Sequence, residues 1–247
     1  MRDDGNAQWC GSCSRIVSSH ACESMDFPWN RCNLMAAAAN FLPRDWPCLA
    51  VGLILLAYWF RVARMALKMR KRTGHGANFI PAEPLGKVLR IIWQPVVWAW
   101  IGLPLAAAFI AHLPAPLHPL YQSPILQWLG VAIALLAFFA TRICWKRMGK
   151  SWRMGINPNE KTALVFTGPY AYVRHPIYAL SSLLMIATVI ILPTPAMIAI
   201  AILHLLLLQW EARREEKNLS RVHGQRYDQY RAKVGGFIPI SARPYSE

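Results

Sequence analysis

The run Thr167-Gly168-Pro169-Tyr170-Ala171-Tyr172-Val173-Arg174-His175-Pro176-Ile177-Tyr178 sets a guanidinium and an imidazole among three phenols, directly before a proline that opens an apolar segment. Proline fits the first turn of a helix, where its missing N–H is no loss, so Arg174 and His175 stand at the positive end of the helix dipole. An anion is favoured there, since a carboxylate or phosphate can take backbone N–H groups and the arginine fork together. Tyr170, Tyr172 and Tyr178 offer flat amphipathic faces suited to stacking on a purine or a sulfonium. Residue by residue, the same types also make an interfacial aromatic belt with snorkelling cations.

A second cluster, Glu211-Ala212-Arg213-Arg214-Glu215-Glu216, sharpens the case. Glu211 and Glu215 are four apart, so on a helix they share a face and repel each other. Carboxylates near membrane depth need a cation: Arg214 within the helix, Arg174 from the first cluster, or a bound cationic ligand. Glu216, Lys217 and Arg221 read instead as the solvated start of a cytoplasmic helix.

The elements between must bring the clusters together. Two apolar stretches, 177–192 and 196–210, are joined by Pro193-Thr194-Pro195, which reads as a helical hairpin returning both clusters to one membrane face. Each arm has roughly 16 residues, or about 24 Å, slightly short of the roughly 30 Å hydrocarbon core of a bilayer. Three further spans are expected at 47–66, 89–112 and 125–145. The chain is 55% hydrophobic and only 16% charged, below the ~25% of soluble domains. The fold class is therefore all-α, a polytopic helical membrane protein of about five transmembrane helices ending in a hairpin. Residues 47–247 form one membrane domain, with the motif-bearing core at 148–240. The segment 148–166 should fold over the mouth of the bundle.

Charge placement predicts the orientation. Lys and Arg crowd 61–90, 142–174 and the tail, while 112–124 and 193–195 contain neither. The positive-inside rule then puts the N-terminus outside and the C-terminus in the cytoplasm, in an inner, cytoplasm-facing membrane such as that of a bacterium. The net charge of +15 follows from topology and contact with anionic headgroups; no groove-reading helix or aromatic-basic platform points to nucleic acid. Residues 1–46 read as a poorly ordered extension, dispensable for activity. Their Cys10, Cys13, Cys22 and Cys32 contain only one close pair, so no metal site is assigned.

The order GPYAYVRHPIY, then Glu215-Glu216-Lys217-Asn218-Leu219 after a short hairpin, then Gly224-Gln225-Arg226-Tyr227-Asp228-Gln229-Tyr230 and a closing Phe237-Ile238-Pro239 resembles the isoprenylcysteine carboxyl methyltransferase family and its phospholipid methyltransferase relatives. The resemblance implies an integral membrane enzyme using S-adenosylmethionine, enclosed on the cytoplasmic side by the hairpin and the C-terminal segment. By position it implies that Thr162, Ala163, Leu164 and Val165 line the cofactor pocket. Tyr170 matches the family's first aromatic, His175, Pro176, Ile177 and Tyr178 its cofactor-binding turn, and Glu215 its cofactor-contacting acid. One departure matters: those enzymes hold a substrate-binding arginine four residues before that acid, where this chain has Glu211.

Glu211 would repel a prenylcysteine carboxylate unless Arg213 or Arg214 takes over, and would welcome an amine headgroup. Arg214 is thus the expected substrate-binding residue, and Arg174 and Glu211 the expected catalytic pair, Glu211 as base for a thiol or amine. O-, N- and S-acceptors all stay open, as does the oligomeric state. The acceptor is expected to be small, hydrophobic or lipid-like, reaching the site sideways from the bilayer. Two other readings remain: an NADPH-dependent membrane sterol or enone reductase, whose Arg-His-Pro-x-Tyr turn is related, and a non-enzymatic helical membrane protein. Against a transporter, the spans read as free of ionisable residues at mid-depth and unbroken outside the proline hairpin.

Overall fold

The computed structural model describes residues 43–73, 83–110, 113–156 and 163–246. The expectations for Cys10, Cys13, Cys22, Cys32 and Thr162 fall outside them. Six α-helices occur among the described residues: α1 Trp46–Thr73, α2 Pro84–Phe109, α3 Pro124–Met148, α4 Pro176–Ile191, α5 Pro195–His223 and α6 Gln225–Lys233. Four of them (α1, α2, α3 and α5) are long and apolar enough to cross a membrane, and α4 is a shorter apolar helix of 16 residues. The molecule is a polytopic helical membrane protein.

Local chemistry sets the helix starts. Pro84, Pro124, Pro176 and Pro195 each occupy the first turn of a helix, where φ is already set and no hydrogen bond is lost. Thr194 accepts the Met197 backbone N–H at 3.1 Å, capping α5. That helix runs well past the expected end at residue 210. No breaker intervenes until Gly224, whose φ of +56° turns the chain into α6. Glu211, Glu215 and Glu216 therefore sit on one continuous helix, their spacing held as it leaves the apolar zone.

Small residues let α3 and α4 approach closely. Gly130, Ala134, Ala137 and Thr141 form a buried stripe at helical spacing. A Cβ on Gly130 would lie 2.7 Å from the Ile191 side chain and 3.1 Å from the Ala187 carbonyl oxygen. Without a hydrophobic drive between helices in lipid, such close packing and internal hydrogen bonds hold the bundle. Trp100 of α2 donates its indole N–H to Thr188 of α4 at 3.0 Å. At the opposite end from the motif, Asp45 accepts the Cys48 backbone N–H and the Gln127 side-chain amide, tying the starts of α1 and α3.

Past α6 the chain returns as a strap over the motif. Val173 pairs with Gly235 in an isolated parallel bridge. The Arg174 and His175 N–H groups donate to the Gly235 and Gly236 carbonyls at 2.8 and 2.9 Å, and the Tyr245 N–H donates to the Ala171 carbonyl at 2.9 Å. Gly235 is needed there: a Cβ would fall 1.9 Å from the Ile238 carbonyl oxygen. The strap satisfies the backbone of the turn entering α4, so Arg174 and His175 are held by two non-adjacent parts of the chain.

Candidate active site

Glu216 is the hub of the ionic frame. One of its carboxylate oxygens accepts from Arg174 Nε at 3.0 Å, Arg174 Nη2 at 2.8 Å and His175 Nε2 at 3.0 Å. Arg174 also donates through Nη1 to the Arg231 and Val234 carbonyls, so one guanidinium joins the α4 entry, α5 and the segment after α6. This corrects two expectations. Glu216 is not the solvated acid, and the anion that Arg174 meets at the positive end of α4 is Glu216 rather than Glu211 or Glu215. A helix completes a turn in 3.6 residues, so adjacent acids point about 100° apart, and sequence spacing alone did not say which faced inward.

Glu215 is placed differently. It accepts the Tyr178 hydroxyl at 3.1 Å, lies 3.8 Å from His175 Nδ1, and keeps 35% of its side-chain surface exposed. The His175 and Tyr178 rings lie nearly parallel, 5.4 Å apart, with Phe237 of the strap beside both. Glu211 is ion-paired with Arg214, whose other nitrogen reaches Glu83 at the start of α2.

Two adjoining chambers meet at Tyr170, Arg174, His175, Tyr178 and Glu215. The first is aromatic, walled by Tyr58, Trp59, Trp93, Trp145 and Trp152 together with Pro176, Ile177 and Ser181. The second is more polar and runs to the strap side past Ala163, Leu164, Val165, Glu211, Asn218, Tyr227 and Tyr230. Of the residues singled out in sequence, Ala163, Leu164, Val165, Tyr170, Arg174, His175, Tyr178, Glu211 and Glu215 line the polar chamber, while Pro176 and Ile177 line the aromatic one. Arg214 lines neither. Its guanidinium is engaged by Glu211 and Glu83, and it borders an outer groove between α2 and α5 instead.

Several chamber groups are donors with nothing to donate to. The Tyr170 and Tyr227 hydroxyls and the Trp59 indole N–H are buried and have no hydrogen-bond partner among the described residues. Burial pushes the Tyr170, Tyr227 and Tyr230 phenols above their ordinary range, so each keeps its proton. Tyr230 donates to the Tyr170 carbonyl at 2.6 Å. An unmade buried hydrogen bond is costly; Tyr170 and Tyr227 line the polar chamber and Trp59 the aromatic one, so two phenol donors and the half-open Glu215 carboxylate suit the polar chamber to a ligand carrying both hydrogen-bond acceptors and a positive charge.

Residues of α1, α2 and the middle of the hairpin supply what the motif scan missed. His204 lies fully buried within α5, which corrects the reading of spans free of ionisable residues. Its Nδ1 is 3.2 Å from the Trp93 indole N–H and its Nε2 is 3.2 Å from Ser181 Oγ. An indole can only donate, so Nδ1 accepts and the neutral imidazole carries its proton on Nε2, donating to Ser181. Ser181 and Tyr58 both line the aromatic chamber. This directed chain fixes two aromatic-chamber side chains, Trp93 and Ser181, through one residue behind them. Arg90 of α2 donates to the Met154 carbonyl at 2.8 Å and lies over the Trp93 ring. The density of 11 tryptophans and a histidine inside a leucine run were the signals available in sequence.

The fold and site define a class: a helical membrane protein with a polar chamber at one face, opening onto an aromatic chamber among its spans. Within that class, residues 128–221, from α3 through most of α5, match the model of the isoprenylcysteine carboxyl methyltransferase (ICMT) family. A solved structure of the eukaryotic intramembrane Ras methyltransferase ICMT aligns with 23% identity over 65% of this chain and 54% of that one, at a TM-score of 0.44. The chain thus spans about half the length of that relative. No curated protein matches it.

Proposed function

We propose that the protein is an S-adenosylmethionine-dependent membrane methyltransferase acting on a hydrophobic or lipid-like acceptor, with the basic face of the bundle in the cytoplasm. One observation carries the reading: a polar and an aromatic chamber join at Tyr170, His175, Tyr178 and Glu215, as two substrates of opposite polarity require. When bound, S-adenosylmethionine supplies an electrophilic methyl group on a sulfonium.

The chain's own residues hold and orient. In the polar chamber Glu215 supplies negative charge toward a cationic ligand, and the Tyr170 and Tyr227 hydroxyls donate to its polar groups. The parallel rings of His175 and Tyr178 give a flat wall, and Ala163, Leu164 and Val165 line the same chamber. Arg174 works through Glu216 as a positioning residue. Catalysis then consists chiefly of alignment in a water-poor site, which the tryptophan walls of the aromatic chamber provide. A carboxylate acceptor needs only this placement, whereas an amine or thiol must lose a proton. Glu215 borders both chambers, so it is better placed to take that proton than Glu211, which borders only the polar one and is paired with Arg214.

The test is transfer of label from methyl-labelled S-adenosylmethionine into organic-extractable product, with a prenylated cysteine and an aminophospholipid offered separately to protein in liposomes. Label in either product supports the reading and names the acceptor class. Absence of label from both, and from a total membrane-lipid extract, by protein that remains folded, would count against it.

A further inference from the structure

We propose that the groove between the basic ends of α1 and α3 binds the headgroup of an anionic phospholipid. Arg61 and Lys68 of α1 face Arg142 and Lys146 of α3 and Lys150 just beyond it across this groove. Among the described residues, no acid lines the groove with these five cations. Every described carboxylate is engaged elsewhere: Asp45 at the start of α1, Glu83 and Glu211 on Arg214, Glu215 on Tyr178, Glu216 on Arg174 and Asp228 on Ser220. In addition, Arg61 Nε is buried with no hydrogen-bond partner among the described residues.

Like charges held this close favour an anion between them, and the surrounding surface says which kind. Phe139, Arg142, Ile143 and Lys146 follow helical spacing on one face of α3, and Phe139 and Ile143 are 55% and 62% exposed. Met65 lies between Arg61 and Lys68 on α1. An apolar track therefore leads from the cations along the spans, matching the order of phosphate and acyl chain in a lipid. A free phosphate would use the cations and leave the track bare. Basic pockets between membrane helices are suited to anionic headgroups in this way. Buried Trp145 and Trp152 form the back wall, and the same two residues wall the aromatic chamber. The lipid would thus brace the chamber from outside; the assignment does not depend on the chemistry proposed inside it.

Native mass spectrometry of the full chain in detergent, titrated with phosphatidylglycerol or phosphatidylcholine, tests this. The expected result is one phosphatidylglycerol bound more tightly than any later lipid and than phosphatidylcholine. The triple variant Arg142→Gln, Lys146→Gln, Lys150→Gln should weaken that first event by about a hundredfold, the effect of three surface cations. A variant removing equal charge from other positions on α1, Arg64→Gln, Arg70→Gln, Lys71→Gln, should change it by less than about threefold, because those cations do not line the groove. If the first triple does not fold, Lys146→Gln alone should still show about a fivefold loss. Equal affinity for the two lipids, or equal loss in both triples, would overturn the site. Displacement of the lipid by inorganic phosphate at matched ionic strength would make it a free-anion site and overturn the lipid assignment.

Discussion

The polar and aromatic chambers share a boundary but are built by different physics. Around the polar chamber, position is fixed by charge and backbone: Glu216 gathers Arg174 and His175, and the strap pairs with the turn ahead of α4. Around the aromatic chamber it is fixed by packing of Tyr58, Trp145 and Trp152 and by one hydrogen-bond chain through His204. The first kind of site can be written in a few dozen contiguous residues, because ion pairs need particular side chains at particular offsets. The second draws single residues from several helices and tolerates many apolar substitutes.

Four substitutions would break or sharpen that contrast. Glu216→Gln should have the largest effect. It leaves a guanidinium and an imidazole without their shared carboxylate, at about 2–3 kcal/mol of stability, seen as a fall in the thermal unfolding midpoint in detergent; an unchanged midpoint would mean the hub is not structural. Glu215→Gln, one residue away, should leave the midpoint nearly intact and weaken S-adenosylhomocysteine binding about tenfold, the worth of one charged interaction. The order of these two acids in the two assays distinguishes frame from ligand contact. Tyr170→Phe removes a buried hydroxyl with no hydrogen-bond partner among the described residues, so stability should hold or rise slightly while S-adenosylhomocysteine affinity drops about fivefold; a loss of stability instead would show that the hydroxyl serves the fold. Smallest is Ser181→Ala, which should leave S-adenosylhomocysteine affinity unchanged and slow methyl transfer about threefold through the aromatic chamber alone. A change in cofactor affinity there would mean that the chambers are not separable.

Legibility in the sequence followed the same division. The five apolar helices and the hairpin were readable because bilayer thickness dictates run length, and proline marks the starts of α2 to α5. That the two clusters meet was readable from the cations and acids at the ends of the hairpin, while the roles of Tyr170, His175, Tyr178 and Glu215 were what the family resemblance implied. The inward acid was harder. Glu215 and Glu216 differ only in helical phase, and which one meets Arg174 depends on how α5 is rotated against α4, a tertiary quantity. Arg214 looked available for a substrate because its partner Glu83 is 131 residues away in sequence. Tyr58, Trp93 and Trp152 look in sequence like any interfacial belt, and only the packing of α1 to α4 reveals that they face a cavity.

The most direct test of the central claim is calorimetric titration of the detergent-purified protein with S-adenosylhomocysteine, with NADPH as the comparison ligand and Tyr178→Ala as the site variant. Saturable binding of S-adenosylhomocysteine, absent for NADPH and lost in a Tyr178→Ala protein that still unfolds cooperatively, is the result expected of a methyltransferase whose cofactor occupies the polar chamber. Binding of NADPH alone, or of neither ligand by folded protein, would contradict it.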